Sequence, residues 1–523
     1  MPRFVQPEGF SLGCPWKSVA PCVPRRAGFL AQYRAVANRV AREVPAIGGG
    51  NVLKARALLR QLRQHVYLFC CRHLKPFSPS RRFGFEEWLD GTHYEAWRKD
   101  ELRKVKSRFP NKIAWKDVLE HSKPKGFVKL ESYPFFKFPR GIHAREDWVK
   151  AWIGPYIKAV ESEVYVLPQF IKHTPVPARP EYVKQHVEGS GLIYAATDYS
   201  AYESSFRKAI QKVCEGALLQ YMARDNPCLE EVRWFCRMCQ GKNVLRYKDG
   251  TFSVLGRRMS GEMTTSLGNG WTNLMLATFV LRHRDVRCVV EGDDGLFALQ
   301  PWETSLFTPE AFASFGFVIK LELHKDIETA SFCGIVYAQD ARLNLADPIA
   351  ELVNFSWSLG PLRFRLARDL LRAKAMSLAY EYPGAPIMSA LARYVLRVTG
   401  DGPIAWEKVA STMSLWHRDA LYAVMDTTRR GERCNVLLSV PVSICSRNVV
   451  ARKFGVSEDL QRRTEDYLDG LNVLQPLEMP WLLHLVHPDC VMMNDRYVFD
   501  FKAGTSYGTV KTVMSWKVVD RKV

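Results

Sequence analysis

The chain has 523 residues, 47% of them hydrophobic and 24% charged, with a formal net charge of +20, so it is too long for one hydrophobic core and too apolar to be disordered. Its 13 cysteines are odd in number and irregularly spaced, which excludes a regular disulfide framework and suits a reducing compartment. No apolar run reaches the roughly 18 residues of a membrane span, and the opening "MPRFVQPEGFSLGCPW" lacks the apolar centre of a signal peptide, which predicts a soluble, intracellular protein.

The positive charge is concentrated early: residues 1–110 hold 21 Lys/Arg against 8 Asp/Glu, a balance of +13 that favours nucleic acid or an acidic membrane surface. Residues 1–50 are rich in Pro, Gly and Arg and end in "IGGGN", which predicts a loose arm and a linker. Ala55, Leu58, Leu62, Val66 and Phe69 then recur at helical spacing, with Arg56, Arg60 and Arg63 on other faces. This basic amphipathic helix over 53–73 could lie on a membrane, hold a partner, or dock on its own protein.

Residues 86–109 again read as a basic helix, whereas Pro124, Pro134 and Pro139 make 123–145 an extended basic ribbon. "LIYAAT" (192–197) is a short apolar strand running into "DYSAYESSF", followed by helix to about 240. Cys236 and Cys239 form a lone CxxC there, with two half-buried helix cysteines as the plain alternative to a zinc site. Residues 243–255 have a hairpin signature around Asp249-Gly250. A second hairpin sets "VRCVV" and "GLFAL" either side of an acidic turn, and the pattern from about 350 onward is mainly helical.

That turn, "VVEGDDGLF", places Asp293 and Asp294 side by side in an apolar setting. Like charges held so close repel and raise a pKa unless a cation neutralises them. A divalent metal is the simplest resolution, and Mg²⁺ favours a few carboxylate oxygens together with water and substrate phosphates. A further carboxylate is needed, and Asp198, closing its own apolar strand, is the candidate; taken alone it could equally be a helix N-cap. Between them lies "SGEMTTSLGNGWTN" (260–273), where Ser260 and Gly261 form a flexible turn and Thr265 and Asn269 share a helix face suited to a sugar hydroxyl. A capped helix with buried polar residues would read the same way.

In order, the chain shows D-x-S-x-Y-E at 198–203, S-G-x-x-x-T-x-x-x-N at 260–269 and G-D-D at 292–294. The set resembles motifs A, B and C of the RNA-dependent RNA polymerases of positive-strand RNA viruses, and is most similar to tombusvirus-like enzymes, with nodavirus-like ones next. "FVKLE" (127–131) and "KFPRGIHAR" (137–145) resemble the basic motif F, "FGFVIKLELHKD" (315–326) motif D, and "ASFCGIVY" (330–337) the motif E hairpin. Roughly 86–340 is covered.

The resemblance implies an α+β right-handed polymerase fold with fingers, a palm made of an antiparallel sheet backed by helices, and a helical thumb. Its expected divisions are a basic extension at 1–85, fingers at 86–190, palm at 191–207, a fingers insertion at 208–258, palm again at 259–345, and thumb with the C-terminal region at 346–523. It implies attack of an RNA 3′-hydroxyl on the α-phosphate of a nucleoside triphosphate, helped by two Mg²⁺ (or Mn²⁺) ions on Asp198, Asp293 and Asp294. Lys129, Lys137, Arg140 and Arg145 are expected on the triphosphate, Arg140 as the orienting fork. A motif D lysine is the implied acid for pyrophosphate; Lys325 is favoured by spacing from Gly316, with Lys320 and His324 competing. Glu203 stands where the family usually has aspartate, and is expected to join Asn269, Ser260, Gly261 and Thr265 around the ribose.

The implied partners are RNA template, nascent RNA and NTPs, with a membrane-anchored viral or host replication partner. The implied location is the host cytoplasm at membrane-associated replication complexes. A reverse transcriptase is disfavoured by Glu203, Gly292 and Asn269, because those enzymes carry aromatic residues at the sugar gate and before the paired aspartates. A basic RNA-binding or packaging protein without catalysis would also explain the charged N-terminal region.

Overall fold

The computed structural model describes residues 10–24, 27–92, 94–283, 285–339, 342–359, 362, 364–400, 404, 408–409, 413, 437–491 and 514–515. The sequence expectations for 1–9, for most of 401–436 and for most of 492–523 lie outside the described residues.

Helix α1 (Val52–His73) starts where the Asn51 side chain accepts the Lys54 N–H. It buries Leu62, His65, Val66, Phe69 and Cys70, with Phe69 edge-on to Trp271 at 5.5 Å between ring centroids, so its inner face docks on its own protein. The basic stretch after it is two helices, Phe85–Asp90 and Ala96–Lys106, separated at Gly91. Strands β1 (Lys125–Val128) and β2 (Gly141–Ala144) pair antiparallel, giving the ribbon that three prolines demand.

Strand β3 (Ile193–Tyr199) follows, then the hairpin of β4 (Lys242–Arg246) and β5 (Thr251–Leu255). Helix α2 (Thr265–Val280) precedes a second hairpin, β6 (Cys288–Glu291) and β7 (Asp294–Leu299), and β8 (Ile319–His324) closes the set. One four-stranded sheet has the order β2-β1-β4-β5. The other, β6-β7-β3-β8, is antiparallel throughout.

This second sheet lies between two hydrophobic cores. Tyr194, Val289, Leu296 and Ala298 face one, with the helices Phe364–Glu381 and Met388–Thr399; Ala195, Tyr199, Val290, Phe297 and Leu299 face the other, with α1 and α2. Successive side chains alternate between faces, and the strands β3, β6 and β7, buried on both faces, read as largely apolar runs, whereas the edge strand β8 alternates with charged, exposed residues. The protein is therefore α+β.

Residues 27–50 are not the loose arm that composition suggested. A helix (Phe29–Ala35) and a π-helical turn (Val36–Val40) set Val36 and Val40 against Leu245, Tyr247, Val254 and Met259. Gln32 and the Gly28 N–H both bond the Asp249 carboxylate of the β4–β5 turn, at 2.6 and 3.2 Å. The small apolar face carried by Ala31, Ala35, Val36 and Val40 is hidden in the sequence by the surrounding Arg, Pro and Gly. Cys236 and Cys239 are buried in the helix Leu229–Cys239, where loss of water pushes both thiols up and keeps them neutral. Among the described residues no helix is long and apolar enough to cross a membrane.

Candidate active site

The register of the central sheet brings the acidic residues together. Thr197 of β3 pairs with Gly295 of β7, so one step further along this antiparallel pair come Asp198 and Asp294. On its other side Asp198 pairs with Lys320 of β8. Glu291 pairs with Asp294, leaving Gly292 and Asp293 as a two-residue turn, and Gly292 has φ +63°, the sign a glycine-first hairpin turn requires.

Asn273 of α2 fastens that turn from behind. Its Nδ2 lies 3.5, 3.3 and 3.1 Å from the carbonyls of Gly292, Asp293 and Asp294, while its Oδ1 accepts from Tyr199 at 3.1 Å. Burial first, then the charges of Asp293 and Asp198, push the Asp294 carboxyl from 3.8 to about 7. Burial and Glu203 raise Asp293 as well. Among the described residues none of these three carboxylates has an ion-pair partner within 4 Å, and no group of three His, Cys, Asp or Glu forms a ready-made metal cage. Hard oxygen donors that repel one another, open on one side, suit a cation that keeps water and phosphate among its ligands.

A second group lies beside the acidic edge. Ala201 takes a left-handed φ of +52°, reversing the chain after β3 so that the short helix Tyr202–Ser205 buries Glu203. Glu203 Oε1 accepts from Ser260 Oγ and from Arg39 Nη2, each at 3.3 Å. Burial works to raise this carboxyl, but Arg39 and Arg140 hold it below the usual glutamate range. Glu203 Oε2 and Asn269 Oδ1 are buried acceptors without a hydrogen-bond partner among the described residues. Gly261 sits where an added Cβ would lie 2.9 Å from the His143 carbonyl, so glycine lets this loop bridge to β2. The Thr265 hydroxyl is committed to the carbonyls of Met259 and Glu262 at the start of α2.

The expected phosphate-binding cations separate into three kinds. Arg140 loses stabilisation to burial, yet Glu131, Glu203, Tyr133 and Asp293 hold its guanidinium above the usual range, which places it in the field of both acidic groups. Lys129 is ion-paired to Glu131 at 2.9 Å, and exposed Lys137 sits over the Phe135 ring at 4.6 Å. Arg145, expected on the triphosphate, is only 4% exposed and spends its fork on Glu262 (3.0 Å from Nε), Asn243 (2.7 Å) and the Ser122 carbonyl. It ties the ribbon to the 260–262 turn, and all three of its guanidinium nitrogens are bonded.

Of the motif D candidates, Lys325 and Lys320 stand at opposite ends of β8. His324 pairs with Tyr194, so the register carries Lys325, one residue past the end of β8, to the level of Ile193 at the far end of β3, about five residues or roughly 16 Å along the strand from Asp198. Lys320 faces Asp198 directly and is ion-paired with Glu322.

Asn273 and Arg39 were missed by sequence reasoning. Asn273 sits one helical turn after Asn269, a spacing that could have flagged it. Nothing local marks Arg39, because its partner is 164 positions away.

Residues 222–475 match the model of a family described as viral RNA dependent RNA polymerase. An RNA-directed RNA polymerase of melon necrotic spot virus is 24% identical over 371 residues, covering 66% of this chain and 45% of that relative. The chain thus spans less than half the length of the curated relative it matches. The matched segment holds Ser260 to Asn269 and the 292–294 turn, while Asp198, Glu203, Arg140 and Arg39 precede it.

Proposed function

We propose that this chain, which is similar to viral RNA-dependent RNA polymerases over residues 222–475, is itself an RNA-directed RNA polymerase that copies a viral RNA genome from NTPs. The single observation that carries the reading is the strand register that sets Asp198, from outside the matched segment, beside Asp294 of the turn inside it.

In this reading residues 191–207 and 259–345 are the palm, 86–190 and 208–258 the fingers, and 346–523 the thumb with the C-terminal region. Asp198, Asp293 and Asp294 would hold divalent cations, Mg²⁺ or Mn²⁺ and two in number, which when bound neutralise the phosphates and favour in-line displacement at the α-phosphate. The protein's own contribution is placement and charge. Arg140, with Lys129 and Lys137 near the ribbon, receives the triphosphate. The partnerless acceptors of Glu203 and Asn269 are free to take a donor, and a ribose 2′-hydroxyl would supply one. Lys320, rather than Lys325, is the proton donor for the leaving pyrophosphate.

The partners that follow are template, nascent strand and NTPs. Replication on host cytoplasmic membranes would then depend on a membrane-anchored viral or host partner.

The test is purified protein with an RNA template, four NTPs and Mg²⁺ or Mn²⁺, beside an Asp293→Ala variant. The polymerase reading expects template-dependent product from the parent and a loss of at least about 100-fold in the variant, with RNA binding retained. RNA binding without synthesis by the parent would favour a packaging protein instead.

A further inference from the structure

The π-helical turn at Val36–Val40 carries Arg39 to the carboxylate of Glu203. Three more bonds fix the same segment to the region around β3. Arg42 donates to Ser200 Oγ at 2.7 Å, Arg207 donates to the Val44 carbonyl at 2.9 Å, and the Gly48 N–H bonds the Ser314 carbonyl at 2.8 Å. The opposite side of the segment is held by Val36 and Val40 in the cluster with Tyr247 and Met259. Arg39 is thus mounted on a braced element, and it bonds a carboxylate that is 7% exposed. A guanidinium in a fixed position orients a carboxylate more strictly than a flexible ammonium does.

Two features give this ion pair a consequence for substrate choice. Glu203 has one oxygen bound by both Arg39 and Ser260, so the pair determines where its other oxygen, Oε2, points. That oxygen is buried and without a partner among the described residues, as is Asn269 Oδ1. Glutamate is also longer than aspartate by one C–C bond, about 1.5 Å, and without a lateral anchor its carboxylate would have more rotamers to choose from. Arg39 removes that freedom before a nucleotide arrives.

We propose that Arg39 is a nucleotide-positioning residue, which fixes the Glu203 carboxylate for the incoming ribose and so brings the N-terminal segment into ribose discrimination. The proposal rests on the polymerase reading and adds a residue that none of the matched motifs contains. Arg39 acts through Glu203 and performs no bond-making step.

The experiment is single-nucleotide incorporation on one template with NTP or dNTP, comparing the parent with Arg39→Ala, Arg39→Lys, Glu203→Ala and the Arg39→Ala/Glu203→Ala double variant. Arg39→Ala is expected to lower the NTP:dNTP ratio of kcat/KM about tenfold, the scale of one charge-assisted hydrogen bond. Arg39→Lys should recover part of that loss. In the Glu203→Ala background the same Arg39 change should alter the ratio less than about twofold, since coupled residues are not additive. A purely structural strap would depress both substrates equally, so an unchanged ratio in Arg39→Ala overturns the proposal whatever happens to the absolute rate. A full Arg39 effect in the Glu203→Ala background overturns it too. If Arg39→Ala does not fold, an Arg39→Lys enzyme with the parental ratio is decisive against it. A parent that incorporates nothing sinks the polymerase reading itself, whereas an active parent with an unmoved ratio sinks only the role of Arg39.

Discussion

Replacing Asp294 by asparagine should stabilise the metal-free protein while abolishing synthesis. The carboxyl is raised from 3.8 to about 7, chiefly by burial and then by Asp293 and Asp198. Below pH 3.8 the group is protonated in both folded and unfolded chains and contributes no difference. As pH rises the unfolded chain ionises first, so the folded state loses relative stability until the folded group also ionises near pH 7. The full difference corresponds to about 4 kcal/mol; because the side chain keeps some contact with water, a gain of about 1–3 kcal/mol is expected for Asp294→Asn at pH 8. At pH 5.5 about half of that gain should remain. The assay is urea unfolding in EDTA at the two pH values, repeated with Mg²⁺. Cation binding to the folded parent should narrow the gap by mass action. A variant no more stable than the parent at pH 8 in EDTA, or a gain of equal size at pH 5.5, would refute the electrostatic argument.

Arg145 and the two lysines of β8 and its end give two further predictions. Arg145→Ala should destabilise the protein by about 3–5 kcal/mol, because it leaves Glu262 buried with one partner fewer, and the loss is read as a shift in the urea midpoint. Lys320→Ala should slow single-turnover incorporation by about 100-fold or more, the range of a lost general acid, while Lys325→Ala stays within about twofold of the parent. Comparable losses in the two lysine variants would show that distance along β8 is the wrong criterion.

The parts of the site that were legible are those whose chemistry is local. Asp293 and Asp294 stand out because strands buried on both faces read as apolar runs, against which two adjacent charges are conspicuous. Asp198 stands out for the same reason at the end of β3. What could not be read is whatever depends on a distant partner. Arg145 looks like any basic residue of a ribbon until Glu262, 117 positions later, is found against it. Spacing from Gly316 favours Lys325, whereas the pairing of β8 with β3 sets Lys320 beside Asp198, and a count along one strand holds no information about register. The N-terminal segment was misread because a four-residue apolar face is too short to show a period among Arg, Pro and Gly.

The same contrast explains the construction of the acidic edge. Burial and neighbouring charge raise the Asp293 and Asp294 carboxyls, which destabilises the fold once they ionise, so the edge requires a support that cannot relax away from them. Asp198 is carried on a strand whose two faces contribute to separate cores, which resists movement in either direction. The turn is more exposed to distortion, and Asn273 counters this by gathering three consecutive carbonyls from a helix that is itself buried almost throughout its length. The repulsion is thereby retained in the folded state instead of being relieved by a shift of backbone. A site so arranged gains most from a multivalent cation brought in with an anionic substrate, which is the condition under which the proposed reaction would run.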